Sequence, residues 1–157
     1  MASKTPILSD IQLSSGFFVE CAILNDSENP VLALQPKQQR YRIHHRVNPS
    51  FDVAAQDVLI DLAIYCQPLD SKGQELALHG RFRLHLTFFV ADLASYLEPQ
   101  GPDLPDAPNQ ALILTLISVA YSTARGLIAA KTNETVLQGF VLPLLDVRDL
   151  MKPENNK

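Results

Sequence analysis

The fold is decided by the stretch Leu76-Ala-Leu-His-Gly-Arg-Phe-Arg-Leu-His-Leu-Thr-Phe88, whose side chains alternate in character along its whole length. Its even-numbered positions are apolar apart from Gly80, whereas its odd-numbered positions include two histidines and two arginines. Alternation with a period of two is typical of a β-strand that buries one face. We therefore predict a long strand here, with a hydrophobic core beneath it and a polar face above it.

The same alternation recurs before this strand. Val58–Cys66 forms a second predicted strand, and Asp70–Gly73 is a predicted turn between the two. Arg40–Val47 predicts a third strand, and Ile11–Leu24 predicts a fourth that is more apolar throughout, with a bulge at Gly16. Four strands joined by short turns favour an antiparallel sheet.

The C-terminal half of the sequence has a different pattern. Glu98–Pro108 contains four prolines and predicts a stiff connector. Asn109 is a suitable N-cap for a long helix that begins near Gln110 and ends near Lys131. A short C-terminal helix is predicted over Val147–Met151. Strands followed by helices, without β-α-β alternation, predict an α+β fold.

The composition is that of one globular domain of 157 residues, with mobile tails expected at residues 1–10 and 152–157. Apolar residues make up 46% and the net charge is −4, so charge alone does not indicate a class of partner. Cys21 and Cys66 are far apart and form no CxxC motif, which argues against a disulfide framework or a zinc site. The N-terminus lacks the apolar core of a signal peptide, and we expect a cytoplasmic protein.

The predicted long helix is apolar on nearly every side. Residues 111–130 match the length of a membrane span, but Arg125 would cost about 2.5–3.5 kcal/mol near the bilayer centre. A helix buried on more than one side explains the pattern better, so we predict self-association without membrane insertion. Arg125 then needs a partner, for which Asp146, Asp149 or a carbonyl after the helix are candidates. The predicted subunit contacts are Leu112, Leu116, Ile117, Ala120 and Ala124.

Three short motifs in the last third of the chain resemble the export chaperone SecB and its SecB-like relatives. They are Tyr121-Ser-Thr-Ala-Arg125, Lys131-Thr-Asn-Glu-Thr135 and Leu142-Pro-Leu-Leu-Asp-Val-Arg-Asp-Leu150. The resemblance extends over residues 11–151 in strand order and in the apolar helix. It implies a four-stranded antiparallel sheet with helices on one side, assembled as a dimer of dimers.

The resemblance also implies a function without chemistry. Proteins of this family hold non-native polypeptides in long apolar grooves and pass them to the translocation motor SecA. Burial of apolar surface is non-directional, so such a groove accepts many clients. The groove positions implied for this chain are Phe17, Phe18, Val19, Phe140, Leu144, Leu145, Leu150 and Met151.

The outer face of the predicted sheet departs from SecB proper, in which acidic residues of this face meet SecA. If the second and fourth strands flank the third, one face carries a basic cluster made of Arg40, Arg42, Arg46, Arg81 and Arg83. This face suits a solvated surface, with Asp61 and Glu75 as partners for some arginines, or a docking site for an acidic partner. No stacking motif supports nucleic acid. A SecB-like chaperone or adaptor for one specific partner, as in toxin–antitoxin systems and independent of SecA, is therefore the alternative function.

The sequence offers no candidate for catalysis or for binding a metal or cofactor. His79 and His85 would lie about 20 Å apart on one strand, too far to share an ion. His44 and His45 point to opposite faces of a strand. No nucleophile elbow, phosphate-binding loop or dinucleotide fingerprint is present, so we expect a protein that is not an enzyme.

Overall fold

The computed structural model describes residues 4–26, 40–102 and 104–151. Its elements confirm an α+β fold, with a four-stranded antiparallel sheet, a long helix and a short C-terminal helix. The tail expected at residues 152–157 lies outside the described residues. In chain order the elements are β1 (Ile11–Asn25), β2 (Arg40–Asp52), β3 (Asp57–Leu69), β4 (Leu78–Val90), β5 (Leu97–Glu98), β6 (Ala107–Pro108), α1 (Gln110–Thr132) and α2 (Val147–Leu150).

The main sheet has the strand order β1-β4-β3-β2, and all of its pairs are antiparallel. Pairing between β2 and β3 is uninterrupted from Arg40 to Asp52. Pairing between β1 and β4 shifts register twice, after Leu13 and after Phe18. The bulge predicted at Gly16 is wrong in position, because Gly16 pairs with Leu86 between the two irregularities.

The core lies between α1 and one side of the sheet, which we call the inner face. The even-numbered side chains of β3, from Val58 to Cys66, are almost completely buried there, as the alternation predicts. In β4 the even-numbered positions from Leu78 to Val90 are buried in the same way. We call the opposite side of the sheet, which α1 does not cover, the outer face.

The ends of the long helix are also as the sequence predicts. Asn109 adopts an extended conformation, and its side chain accepts a hydrogen bond of 2.9 Å from the backbone amide of Leu112. Lys131 lies in the last turn, where a cation is favourable to the helix dipole. The helix therefore begins and ends where the sequence predicts.

Residues 4–10, which the sequence predicts as part of a tail, contact the body of the protein. The Lys4 ammonium lies 2.6 Å from Ser95 Oγ and 4.2 Å from the centre of the Tyr96 ring. The Asn109 side-chain amide donates a hydrogen bond of 3.0 Å to the Lys4 carbonyl. The N-terminal segment is thereby joined to the start of α1.

Candidate functional site

Four exposed large apolar side chains lie in residues 136–151, which we call the C-terminal segment, and five others lie in residues 7–19. Phe140, Leu142 and Leu150 are buried, Leu145 and Val147 are half-buried, and the other side chains between them are exposed. Leu144 is 83% exposed, although leucine is most often found inside proteins. The exposed apolar residues of the segment are Val136, Val141, Leu144 and Met151.

Two hydrogen bonds from α1 hold the C-terminal segment in place. Arg125 Nε donates to the Leu142 carbonyl at 2.8 Å, and the Tyr121 hydroxyl donates to the Pro143 carbonyl at 3.2 Å. Burial raises the pKa of Tyr121, so its hydroxyl remains a donor at neutral pH. Of the partners considered for Arg125, the structure selects the carbonyl after the helix. The exposed apolar side chains of the segment therefore lie on a backbone that is hydrogen-bonded to α1.

The short helix α2 orients the end of this segment. Asp146 caps it by accepting a hydrogen bond of 3.0 Å from the Arg148 backbone amide. The single turn that follows directs Leu150 into the core and leaves Met151 exposed. A buried residue thus anchors the exposed one beside it.

The inner side of β2 adds apolar surface next to the C-terminal segment. Tyr41 packs against Phe140 with 4.7 Å between ring centres and 59° between the ring planes, and burial raises the pKa of Tyr41. Helix α2 also contacts β2. Together these residues form what we call the C-terminal apolar surface. It consists of the half-buried Tyr41, Ile43, Val47, Leu145 and Val147 and the exposed Val136, Val141, Leu144 and Met151.

Sequence reasoning missed the contribution of β2. The alternation of Tyr41, Ile43 and Val47 was visible, but it predicts only a strand with an apolar face. Their partial exposure follows from the edge position of β2, which a period of two does not specify.

The predicted groove residues on β1 lie elsewhere. Phe17 is on the outer face with its ring 5.7 Å from that of His85, while Phe18 points inward toward Phe82. Val19 is exposed at the second irregularity of the strand. Because β1 and β2 are opposite edges of the sheet, about three strand spacings or 14 Å separate the two sets. Within one chain, the β1 residues and the C-terminal segment therefore do not line the same groove.

Phe140 and Leu150, also predicted for the groove, belong to the core. Their side chains are 1% and 6% exposed, so neither offers appreciable area to a client. The physical reason is the alternation of the C-terminal segment, which buries these two side chains to hold their neighbours outward. Leu144 and Met151 are exposed as expected, and Leu145 is half-buried.

The long helix places its predicted subunit contacts inside the chain. The five residues are at most 1% exposed because they cover the inner face of the sheet: Leu112, Leu116, Ile117, Ala120 and Ala124. Side chains in the core cannot also contact a second subunit, so these assignments need correction. The helix face open to a partner carries small side chains and one valine: Ala111, Val119, Ser122, Gly126 and Ala130. Whether the chain associates stays a prediction.

By length and composition alone, α1 would also suffice to cross a membrane. Its most apolar residues, such as Leu116, are however packed against the sheet. We interpret α1 as the core helix of this fold.

The outer face carries all five predicted arginines, and acidic groups accompany most of them. The Arg83 guanidinium donates two hydrogen bonds to the Asp61 carboxylate, at 2.9 and 2.7 Å. These bonds hold the pKa of Asp61 below its ordinary value against the opposing effect of burial. Arg42 is paired with Glu75, as the sequence suggested. Arg81 lies 3.8 Å from the carboxylate of Glu20.

The thiols and the histidines form no reactive cluster in the described residues. Both cysteines are free thiols, and burial raises the pKa of Cys66 to about 12. No group of three or more potential metal ligands comes together in residues 4–26, 40–102 and 104–151.

The fold places the chain among α+β proteins of SecB-like architecture. The SecB-like chaperone Rv1957 of Mycobacterium tuberculosis, solved in complex with a ChAD peptide from the Rv1956 HigA1 antitoxin, superposes with a TM-score of 0.58. The match is 12% identical and covers 88% of this chain and 92% of that one. A protein of unknown function from Streptococcus agalactiae matches with a TM-score of 0.42 and 10% identity, over 85% of this chain and 97% of that one. No family model and no curated protein matches the sequence.

Proposed function

We propose that this protein is a molecular chaperone that binds non-native polypeptides at the C-terminal apolar surface. One observation carries the proposal: Val141 and Leu144 are exposed on a backbone that Arg125 fastens to α1. Because its backbone is fixed, the segment keeps these apolar side chains exposed to solvent. Exposed apolar side chains held on one segment suit a site of interaction, and the non-directional attraction of apolar surface suits clients of varied sequence.

The fold supports this proposal. Rv1957 is a SecB-like chaperone whose structure contains a peptide of an antitoxin. For our protein we infer the same general activity, the binding of polypeptide without catalysis or cofactor. Cytoplasmic location and a role in protein export belong to the proposal as well. Because the outer face is basic where SecB proper offers acidic residues, we propose that this face binds SecA weakly, if at all.

The test is suppression of aggregation. Several unrelated unfolded proteins are diluted from denaturant, and aggregation is followed by light scattering with and without the wild-type protein. We expect suppression to be lost in the variant Val141→Ser/Leu144→Ser/Met151→Ser, because serine removes the exposed apolar area. The matched control is Leu13→Ser/Phe17→Ser/Val19→Ser on β1, whose residues are comparably exposed. Full activity in the C-terminal variant, or loss only in the β1 variant, would contradict the proposed site.

A dedicated chaperone or adaptor for one specific partner is the second candidate, favoured by the antitoxin peptide in the Rv1957 structure. Breadth of binding separates the two candidates. A general chaperone binds several unfolded proteins with a negative change in heat capacity, the mark of apolar burial. A dedicated protein leaves unrelated clients unbound in the same calorimetric titrations.

We also propose that the chain assembles as a tetramer that is a dimer of dimers, in which the exposed face of α1 forms one of the two kinds of interface. Small side chains such as Ser122 and Gly126 allow another helix to approach closely, and Val119 adds apolar contact. Val119→Glu should reduce the mass measured by light scattering while leaving the circular dichroism spectrum unchanged. A wild-type protein that is monomeric at micromolar concentration would rule out this assembly.

A further inference from the structure

A shallow cavity opens on the outer face over Ala63. The register places Ala63 between Arg46 on β2 and Arg83 on β4. Two long arginine side chains therefore flank the methyl group of Ala63. The resulting depression has a volume of about 340 Å³. Tyr65, the next outward residue on β3, also lines it, and Arg81 lies at its side.

Positive charge exceeds negative charge around this cavity. Arg83 is engaged by Asp61 through two hydrogen bonds. Arg81 is only loosely paired, since its guanidinium is 3.8 Å from Glu20 and both side chains are about half exposed. Arg46 lies within ion-pair distance of no carboxylate in the described part of the chain, although its charge helps to lower the pKa of Asp61 from farther away. Three guanidinium groups thus face two carboxylates.

The geometry suits carboxylates better than a long polyanion. Arg46 and Arg83 are separated by two strand spacings, about 10 Å between Cα atoms, so their side chains can converge on one or two neighbouring carboxylates. About 20 Å along β3 the same face becomes acidic, because Asp52 and Asp57 lie directly opposite each other. A strand of nucleic acid that ran past the cavity would meet this repulsion. A short acidic run in a polypeptide would not.

We propose that this cavity is a docking site for an acidic segment of a partner protein, with two or three consecutive Asp or Glu residues. It lies on the outer face, while the C-terminal apolar surface is formed on the inner side of β2. A client and an acidic partner can therefore bind at the same time. This inference does not depend on the proposed chaperone activity.

The probe is a fluorescent peptide with three consecutive Glu residues flanked by Gly and Ser, compared with the same peptide carrying Gln. Anisotropy at low salt should show binding of the Glu peptide alone. Arg46→Ala/Arg81→Ala should weaken it at least about tenfold, the effect of losing one charge-assisted contact. Arg148→Ala is the matched control, because Arg148 is an exposed arginine away from the outer face.

A second variant gives the opposite change. Glu20→Gln removes the carboxylate that competes for Arg81 and should tighten binding of the Glu peptide several-fold. Equal binding of the Glu and Gln peptides would overturn the proposal. Binding of the Glu peptide that is unchanged in both Arg46→Ala/Arg81→Ala and Glu20→Gln would overturn it as well. Tighter binding of a single-stranded oligonucleotide than of the Glu peptide would overturn the carboxylate assignment. The aggregation assay on the same variants, where activity should persist, separates this site from the chaperone site.

Discussion

The two edges of the sheet, β1 and β2, differ in regularity and in what lies beneath them. β2 forms uninterrupted pairs with β3, whereas the register of β1 shifts twice against β4. Bulges make an edge strand a poor template for another chain, and the second shift lies where Val19 is exposed. Under β2, Phe140 supports an ordered apolar surface. The difference teaches that exposed apolar residues at β1 and β2 are not equivalent. Those of β1 lie on an irregularly paired edge strand, whereas those near β2 lie on a segment without strand pairing that side chains of α1 hold against the core.

The largest expected effect compares one phenylalanine from each edge. Phe140→Ala should lower the free energy of unfolding by about 3–5 kcal/mol, because it empties a fully buried site beneath Tyr41. Phe17→Ala should cost far less, since this side chain is 53% exposed. Urea unfolding of both variants measures the two values. Similar losses would show that β1 is packed as tightly as the β2 edge.

The next prediction concerns the anchor itself. Arg125→Met should cost about 1.5–3 kcal/mol, because it removes a charged donor and leaves the Leu142 carbonyl without this partner. Hydrogen exchange should speed up in residues 136–151 more than in β1. Lys131→Met, an exposed position in the last turn of the same helix, is the control and should change stability by less than about 0.5 kcal/mol. Uniform acceleration across the sheet would mean that Arg125 does not anchor the segment specifically.

A third prediction uses two glycines, one from β1 and one from the β4 strand beside it. A Cβ atom at Gly80 would lie 2.9 Å from Cys66 Sγ and equally close to Leu137 Cδ1, so Gly80→Ala should destabilise by about 1–3 kcal/mol. At Gly16 the nearest contact would be an ordinary 3.5 Å to Leu86 Cδ2. Gly16→Ala should therefore be neutral, or stabilising by about 0.4–1 kcal/mol through the unfolded state. Thermal unfolding of both variants measures the two changes in stability. If Gly16→Ala is destabilising, β1 is more tightly constrained than its irregular pairing suggests.

Much of the fold could be predicted because local periodicity reports burial. The alternation in Leu76–Phe88 predicted β4, and the cap at Asn109 predicted the start of α1. Alternation also placed Arg46 on the polar side of β2 and Arg83 on the polar side of β4. That β3 lies between them was a condition of the prediction, which the strand order confirms. Each of these inferences needs only residues that are close in sequence.

The candidate site could be predicted only in part, because it depends on contacts between distant residues. Leu144 and Phe140 look equally apolar in sequence, and only the path of the C-terminal segment over the core exposes one and buries the other. Similarly, the apolar pattern of α1 does not indicate which side of the helix contacts the sheet. The sequence therefore predicts Ile117 as a subunit contact, whereas the structure places it in the core. The ion pair between Arg83 and Asp61 joins two strands and leaves no local pattern.

The smallest effect is expected on the outer face, where Asp61 lies in the row that runs from Asn48 on β2 to Phe17 on β1. Hydrogen bonds from Arg83 hold the pKa of Asp61 below its ordinary value of 3.8 in the folded protein. The ionised carboxylate therefore stabilises the fold above this ordinary value, and the contribution is lost as the pH falls through the lower pKa of the folded state.

Asp61→Asn should accordingly be less stable than the wild type at pH 7, and the difference should shrink as the pH falls from about 5 to about 2. Asp106→Asn, an exposed position in the connector, is the control and should leave the pH profile unchanged. Urea unfolding at several pH values gives the measurement. A difference that stays constant with pH would mean that Asp61 acts through packing rather than through its charge.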